Sequence, residues 1–355
     1  MTAVDLDGLV VTHPPSIRYL TQLNASTGAV IVGEGTATLV VDFRYATAAR
    51  TLPGQALRIE VADGDLDDAI AALLRKRSLR RIGVEGEHLS VGRFNRLAAA
   101  LARPQLPLGE DRHGPIRKPT ERLMSRVRAV KDAAEIAILR EAARRLSAVA
   151  REARRWVRPG ATEIEVAAGV DAAVRNAGFE RPAFDTIVAS GPNGALPHAR
   201  PTARRLAPGD GVVLDFGGVY DGYCVDLTRT ISLGPMSADF RRLFDAVREA
   251  QAAAIASVSP GAAAADIDGA ARRLLDARGL GGAFGHGTGH GLGLEVHEEP
   301  RISRHTSPGE RVEAGMVFTI EPGAYVPGLG GVRIEDDVLV REDGCELLTN
   351  VPIEL

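Results

Sequence analysis

The segment LDFGGVYDGYCVDLTRT, from Leu214 to Thr230, carries two aspartates in a β-rich setting. Asp215 follows the apolar run GVVL and precedes Gly217-Gly218. Asp226 precedes the β-rich run LTRTIS. Either acid alone reads as an ordinary turn or surface-strand residue. Eleven residues apart across an apparent hairpin, they can face one another from adjacent strands. Three further glycine-marked phrases follow. They are HGTGHGLGLEVHE with His290, FTIEPGAY with Glu321 and GVRIEDD with Glu335. Four carboxylates and one imidazole make a poor structural zinc set, because structural zinc prefers thiolates and imidazoles. The set suits harder divalent ions, and carboxylates can bridge two of them. A pair of ions about 3.5–4 Å apart holds a hydroxide and polarises a carbonyl beside it. The reading is a two-metal hydrolase.

Working outward, the chain repeats itself around these phrases. WVRPGATEIEVAAGVDAAVRNAGF has a counterpart in SVSPGAAAADIDGAARRLLDARGL. Pro159 matches Pro260 and Gly178 matches Gly279, both at an offset of 101. RPAF (181–184) answers GGAF (281–284), and PHARP answers VHEEP, which pairs His198 with His297. VVLDFGG answers FTIEPGA, which pairs Asp215 with Glu321. Two similar α+β halves about a pseudo-twofold would each send an acidic strand into one central cleft.

The order D215-x10-D226, HxxxHGxGxxxHE, EPGxY and GxRxED resembles the metallopeptidases of the pita-bread fold. Within them it is similar to the proline-specific branch of family M24, the Xaa-Pro dipeptidases (prolidases) and Xaa-Pro aminopeptidases. RYLTQLNASTGAVIVGEGTATLVVDFRY, from Arg18 to Tyr45, looks like the N-terminal domain of that branch. The resemblance implies an α+β fold. A creatinase/aminopeptidase-like pita-bread domain with internal duplication follows a smaller α/β domain with a mixed sheet. It implies Asp215, Asp226, His290, Glu321 and Glu335 as ligands of two divalent ions. Mn²⁺ is favoured, with Co²⁺ or Zn²⁺ able to substitute. Asp215 would grip one metal, while Asp226 and Glu335 would bridge. Glu321 would also serve as general base for the bridging hydroxide. His198 and His297 would flank the substrate carbonyl and leaving nitrogen, exchanging a proton near neutral pH. His286 joins them as a further catalytic candidate. Arg333 alternates with Glu335 along one strand and shares its face. It is assigned either to a substrate carboxylate or to support behind the ligands. His305 reads as a surface residue, and His13, His88 and His113 carry no pairing signal.

Departures from the family pattern bear on substrate more than on chemistry. Val225 stands where Ser is common before the second aspartate, and Gln22 where YLTG is commoner. Two rivals keep the fold. One is a creatinase-like amidinohydrolase, which needs no metal. The other is a non-catalytic binding protein, which would have lost ligands. All five ligands are present here.

The 355 residues fit two domains, expected at 1–122 and 123–355, with a linker at 103–122 rich in proline and charge. VIVG, ATLVVDF and RIGVEG read as strands, and DDAIAALLRKR and VGRFNRLAAALAR as amphipathic helices. A long helix is expected from about Lys131 to Trp156, started by Asp132 and stopped by Pro159-Gly160. A net charge of −3 with no basic run gives no nucleic-acid surface. Two cysteines make no disulfide framework and suit a reducing cytoplasm. No signal peptide or membrane-spanning run is read. The expected partners are a small peptide substrate and, by family resemblance, a second copy in a homodimer.

Overall fold

The computed structural model describes residues 6–52, 56–102, 116–120 and 122–353. The chain divides into two compact units, Met1–Arg128 and Ala129–Leu355. No helix among the described residues is long and apolar enough to cross a membrane.

The first unit contains β1 (Gly8–Val11), α1 (Pro14–Thr21), β2 (Ala29–Gly33), β3 (Thr36–Val41), α2 (Phe43–Arg50), β4 (Leu57–Val61), α3 (Leu66–Lys76), β5 (Ile82–Glu85), α4 (Val91–Ala102) and β6 (Ile116–Thr120), and α5 (Leu123–Ala129) follows. The strands form one sheet in the order β4-β3-β2-β1-β5-β6. β1-β2 and β2-β3 pair antiparallel, and the other neighbours pair parallel, so the sheet is mixed. Side chains alternate across it. Val10, Ile31 and Val40 pack with Ile70, Leu74 and Leu97 of α3 and α4. Val11, Val30 and Val41 pack with Ile17 and Ala49 of α1 and α2. Helices on both faces explain why these strands read as continuous apolar runs.

The expected linker is corrected in part. Residues 103–115 and 121 lie outside the described residues, and so does His113. Ile116–Thr120, however, is an edge strand parallel to β5. Its Pro119 disguised it as linker, but an edge strand tolerates a residue without an N–H. A second correction concerns His13 and His88, whose rings stack at 3.5 Å and 6°.

The second unit runs α6 (Ala133–Arg151), α7 (Glu163–Asn176), β7 (Arg181–Pro182), β8 (Ile187–Ser190), β9 (Gly211–Tyr220), β10 (Tyr223–Ser232), α8 (Ala238–Ala256), α9 (Ala264–Ala277), β11 (Gly289–Gly291), β12 (Glu298–Ile302), β13 (Val317–Ile320), β14 (Gly323–Val326), β15 (Gly330–Arg333), β16 (Asp336–Arg341) and β17 (Gly344–Leu347). Asp132 caps α6 in a reciprocal box with Glu135, as its sequence position predicts. The helix ends at Arg151, earlier than expected, because the chain tightens into a 3₁₀ turn over Ala153–Arg155.

The duplication is visible bond by bond. Each half opens with a 19-residue helix followed by a 14-residue helix. Between the helices, Gly160 and Gly261 take positive φ of 86° and 85°. The Gly160 N–H donates to Leu206 O, and the Gly261 N–H donates to Val312 O, both at 2.8 Å. Arg205 and Arg311 each send Nη1 to those same glycine carbonyls at 2.7 Å. Each half buries its own core. One centres on α6, α7, β9 and β10, the other on α8, α9 and β13–β16.

Candidate active site

The β9–β10 hairpin pairs Asp215 with Thr228 and Gly217 with Asp226. All four therefore lie on one face, and the two aspartates are diagonal neighbours. Gly217 has no Cβ, which here would lie 2.4 Å from Val225 O. In the other half, β13 pairs Ile320 with Asp336, so Glu321 and Glu335 flank adjacent strand ends. Thr228 joins the halves: its hydroxyl donates to Glu335 Oε2 at 2.5 Å, and its carbonyl accepts the Glu335 N–H at 3.1 Å.

His290 enters from β11, held by its N–H to Thr319 Oγ1 at 3.1 Å. The same hydroxyl donates to Glu321 Oε1 at 3.2 Å. His290 Nδ1 lies 3.3 Å from Gly291 O, which makes Nδ1 the protonated nitrogen. Nε2 then turns its lone pair toward Glu321 Oε1 at 3.3 Å and Asp226 Oδ2 at 3.9 Å. Donor atoms of Asp226, His290 and Glu335 all lie within 4.8 Å of one another. Burial and the neighbouring His297 push the His290 pKa down to about 3, so this imidazole is neutral.

The carboxylates shift the opposite way. Burial, then Glu335 and Asp215, raise Asp226 well above its ordinary value. Burial, then Glu321 and Asp215, do the same for Glu335. Glu321 is pushed up to about 8, chiefly by burial. Asp337, also fully buried, is raised by burial, although its Oδ2 accepts the Asp226 N–H at 3.2 Å. Asp215 Oδ1, Asp226 Oδ1, Glu335 Oε1 and Asp337 Oδ1 are buried without a hydrogen-bond partner. Such oxygens, in a cluster that also holds a neutral imidazole, fit divalent cations, since hard oxygen donors with one nitrogen match that chemistry.

Arg333 is the cation that faces this cluster from β15. Nη2 contacts Asp215 Oδ2, Nη1 donates to Tyr325 Oη at 2.6 Å and to Pro197 O at 3.2 Å, and Nε donates to Thr228 Oγ1 at 3.3 Å. The guanidinium is thus engaged within the protein. Of its two expected roles, this geometry favours support of Asp215. Tyr325 in turn lies 3.0 Å from His286 Nε2, and His286 Nδ1 lies 2.8 Å from Gly287 O. His286 is therefore tied through Tyr325 and Arg333 to Asp215. Burial holds its pKa down at about 4.

His198 and His297 are both exposed. The His297 ring sits 4.2 Å from the His290 ring. Desolvation in the cleft, then the Arg301 charge, lower the His297 pKa. The nearby His198 is a lesser cause lowering both the His286 and the His297 pKa. His305 stands in an exposed loop, hydrogen-bonded to Arg304 at 3.3 Å. Thr228, Thr319, Tyr325 and Asp337 escaped the sequence reading. Thr228 and Asp337 each lie two residues beyond a candidate ligand on a strand, and that spacing was the available signal. Thr319 lies two residues before Glu321 by the same spacing, and Tyr325 is the tyrosine of the EPGxY phrase, to which no role was assigned.

The acid cluster, lone imidazole and flanking histidines define a metal-dependent hydrolase. The model of metallopeptidase family M24 matches residues 137–342, and that of the Creatinase/Prolidase N-terminal domain matches residues 1–110. The chain belongs to metallopeptidase family M24, and the enzyme is a metallopeptidase. The chain is 33% identical to an Xaa-Pro dipeptidase of Pyrococcus horikoshii over 354 residues, covering 99% of this chain and 94% of that protein. Its fold is similar to the solved Xaa-Pro dipeptidase from Bacillus anthracis, with TM-score 0.92, 34% identity, and 100% and 96% of the two chains covered. An X-Pro aminopeptidase from Thermotoga maritima superposes with TM-score 0.85 at 33% identity, covering 98% and 96%.

Proposed function

We propose that the enzyme cleaves the bond before proline in Xaa-Pro dipeptides or short Xaa-Pro peptides, using two divalent cations. The observation that carries the cation reading is the set of buried carboxylate oxygens without partners, on residues whose donor atoms gather with the neutral His290 within 4.8 Å in the case of Asp226 and Glu335. The proline reading rests on the full-length likeness to Xaa-Pro peptidases. Asp215, Asp226, His290, Glu321 and Glu335 would hold the ions. When bound, such ions supply Lewis-acid polarisation of a carbonyl and acidify water.

The chain's own groups do the rest. Glu321, beside His290 in the candidate ligand set, is placed to take a proton from the attacking water and pass it toward the leaving nitrogen. His198 and His297 hydrogen-bond the carbonyl oxygen as it gains negative charge. Arg333 holds Asp215 in place, and Tyr325 links Arg333 to His286. Proline nitrogen carries no N–H in the peptide, so recognition falls to shape around a ring locked near φ −65°. A homodimer (on family resemblance), cytoplasmic residence (on cysteine usage), Mn²⁺ as native ion (on carboxylate-rich ligation) and a domain division at 122/123 (on the proline- and charge-rich stretch) complete the proposal.

The test compares an Xaa-Pro dipeptide, a longer Xaa-Pro-initiated peptide and an Xaa-Ala dipeptide, with Mn²⁺ and with chelator. Cleavage of Xaa-Pro substrates much faster than Xaa-Ala, abolished by chelator, is expected. Comparable kcat/KM for Xaa-Pro and Xaa-Ala would leave a peptidase without the proposed specificity.

A further inference from the structure

Glu163 is a fully buried acid that the mechanism does not use. It opens α7 and lies on the helix's apolar stripe, with Val166, Val170 and Val174. A carboxylate in that position is costly unless its lone pairs are satisfied. Its Oε1 accepts from Ser190 N at 2.7 Å, Ser190 Oγ at 2.6 Å and Asn193 Nδ2 at 3.1 Å. Its Oε2 accepts from Asn193 Nδ2 at 3.1 Å, Thr202 N at 3.0 Å and Thr202 Oγ1 at 2.6 Å. Burial works to raise its pKa, but the bonds from Ser190 and Thr202 prevail and hold it below the ordinary value. The group is a carboxylate at working pH.

These donors stand at the two ends of one loop. Ser190 closes β8, a 3₁₀ turn follows over Gly191–Ala195, and Pro197 and His198 come before Thr202. The middle of the loop is docked separately. Gly194 lies against the Gly331 backbone, where a Cβ would approach to 3.1 Å, and Arg333 holds Pro197 O. Helix capping does not explain Glu163, because Thr162 and Glu165 already form the reciprocal box that caps α7. Packing does not explain it either, since an apolar side chain would fill the stripe without desolvating a charge.

We propose that Glu163 is a positioning residue that clasps the 190–202 loop and thereby sets the place of His198 in the cleft. This rests on the reading that His198 acts in turnover. An imidazole displaced by about 1 Å costs on the order of 10²-fold in rate. The loss falls on kcat and kcat/KM together, as for an interaction made in the transition state.

The experiment is a double-mutant cycle with His198→Ala on the metal-loaded enzyme, read with an Xaa-Pro dipeptide. Glu163→Gln keeps the shape but turns an amide NH₂ toward one pair of donors, which loosens one end of the loop. Thr202→Val removes a single hydroxyl donor and is the milder probe should Glu163→Gln fail to fold. The expected result is about a 10- to 100-fold fall in kcat for Glu163→Gln and about 3-fold for Thr202→Val, with KM and metal content near wild type. In the His198→Ala background both effects should shrink to less than about 2-fold. An impaired His198→Ala enzyme in which these substitutions still cost their full factor would overturn the inference and leave the role of His198 intact. A fully active His198→Ala enzyme would overturn the role of His198 itself, and the inference with it.

Discussion

Removing the divalent ions should give this protein a stability that falls as pH rises. Glu321 has its pKa pushed up to about 8 from an ordinary 4.5, chiefly by burial, and Asp226 and Glu335 shift the same way. Below about pH 4.5 these groups are protonated in the folded and unfolded chain alike, and their contribution to stability is fully present. Above it, the unfolded chain releases protons that the folded, ion-free cluster retains. Each retained proton lowers stability by about 1.4 kcal/mol per pH unit until the folded value is passed. For Glu321 alone the ceiling is about 5 kcal/mol between pH 4.5 and 8, and the coupled set titrates as a whole. For a unit of about 150–250 residues, 1 kcal/mol moves Tm by roughly 2–4 °C. The chelated enzyme should therefore lose about 3–6 °C per pH unit for each excess proton. With Mn²⁺ the carboxylates are deprotonated in the folded state, and the slope should vanish. The chain has one tryptophan, Trp156, packed against the core of the second unit, so its fluorescence reports that unit alone. Melts from pH 5 to 8.5, with Mn²⁺ and with chelator, decide the matter. A chelated Tm that is flat or rises with pH would refute the reasoning, as would equal slopes under both conditions.

Two further predictions probe single members of the cluster. Asp226→Asn removes one charge from the buried set. The chelated protein should gain about 1–3 kcal/mol at pH 8, while metal affinity, followed by elemental analysis, falls by more than about 10²-fold. Arg333→Met breaks a buried ion pair and should cost about 3–5 kcal/mol in urea denaturation, and Arg333→Lys should not restore it, because one ammonium cannot reach Asp215, Tyr325, Thr228 and Pro197 together. If Arg333 supports Asp215, any preference for a free dipeptide over its C-terminal amide should survive in the residual activity of Arg333→Met. Loss of that preference would give Arg333 the substrate carboxylate instead.

Much of this architecture is written in short range. The β9–β10 hairpin announces itself by two apolar runs around a turn, and its register puts Asp215 and Asp226 on one face. The repeat is legible because Gly160 and Gly261, and Gly178 and Gly279, occupy positive φ that disfavours other residues, so the same punctuation recurs in both halves. What was not legible depends on partners far away in sequence. Glu335 lies between β15 and β16, not on the strand that Arg333 closes, so the expected alternation along one strand does not place the Arg333 guanidinium. Whether it meets substrate or protein depends on Asp215 and Pro197, which belong to the other half. β6 was hidden for a different reason: only its parallel partner β5 turns a proline-bearing stretch into a strand.

The same division explains why the cleft needs both halves. The first half supplies Asp215, Asp226 and His198, and the second supplies His290, Glu321, Glu335 and His297. Neither set neutralises itself. Among the many bonds that cross between the halves, three groups run through the candidate site. Thr228 holds Glu335, Asp337 holds the Asp226 N–H, and Arg333 holds Asp215 and Pro197. Each crossing ties a candidate ligand, or the loop bearing His198, to the opposite half. A duplicated fold in which each half folded around its own acids would leave those acids unpaired. Here side chains around the candidate ligands join the halves, alongside contacts such as Arg229–Asp336 and Lys131–Glu298, so assembling the core and assembling the candidate site are coupled.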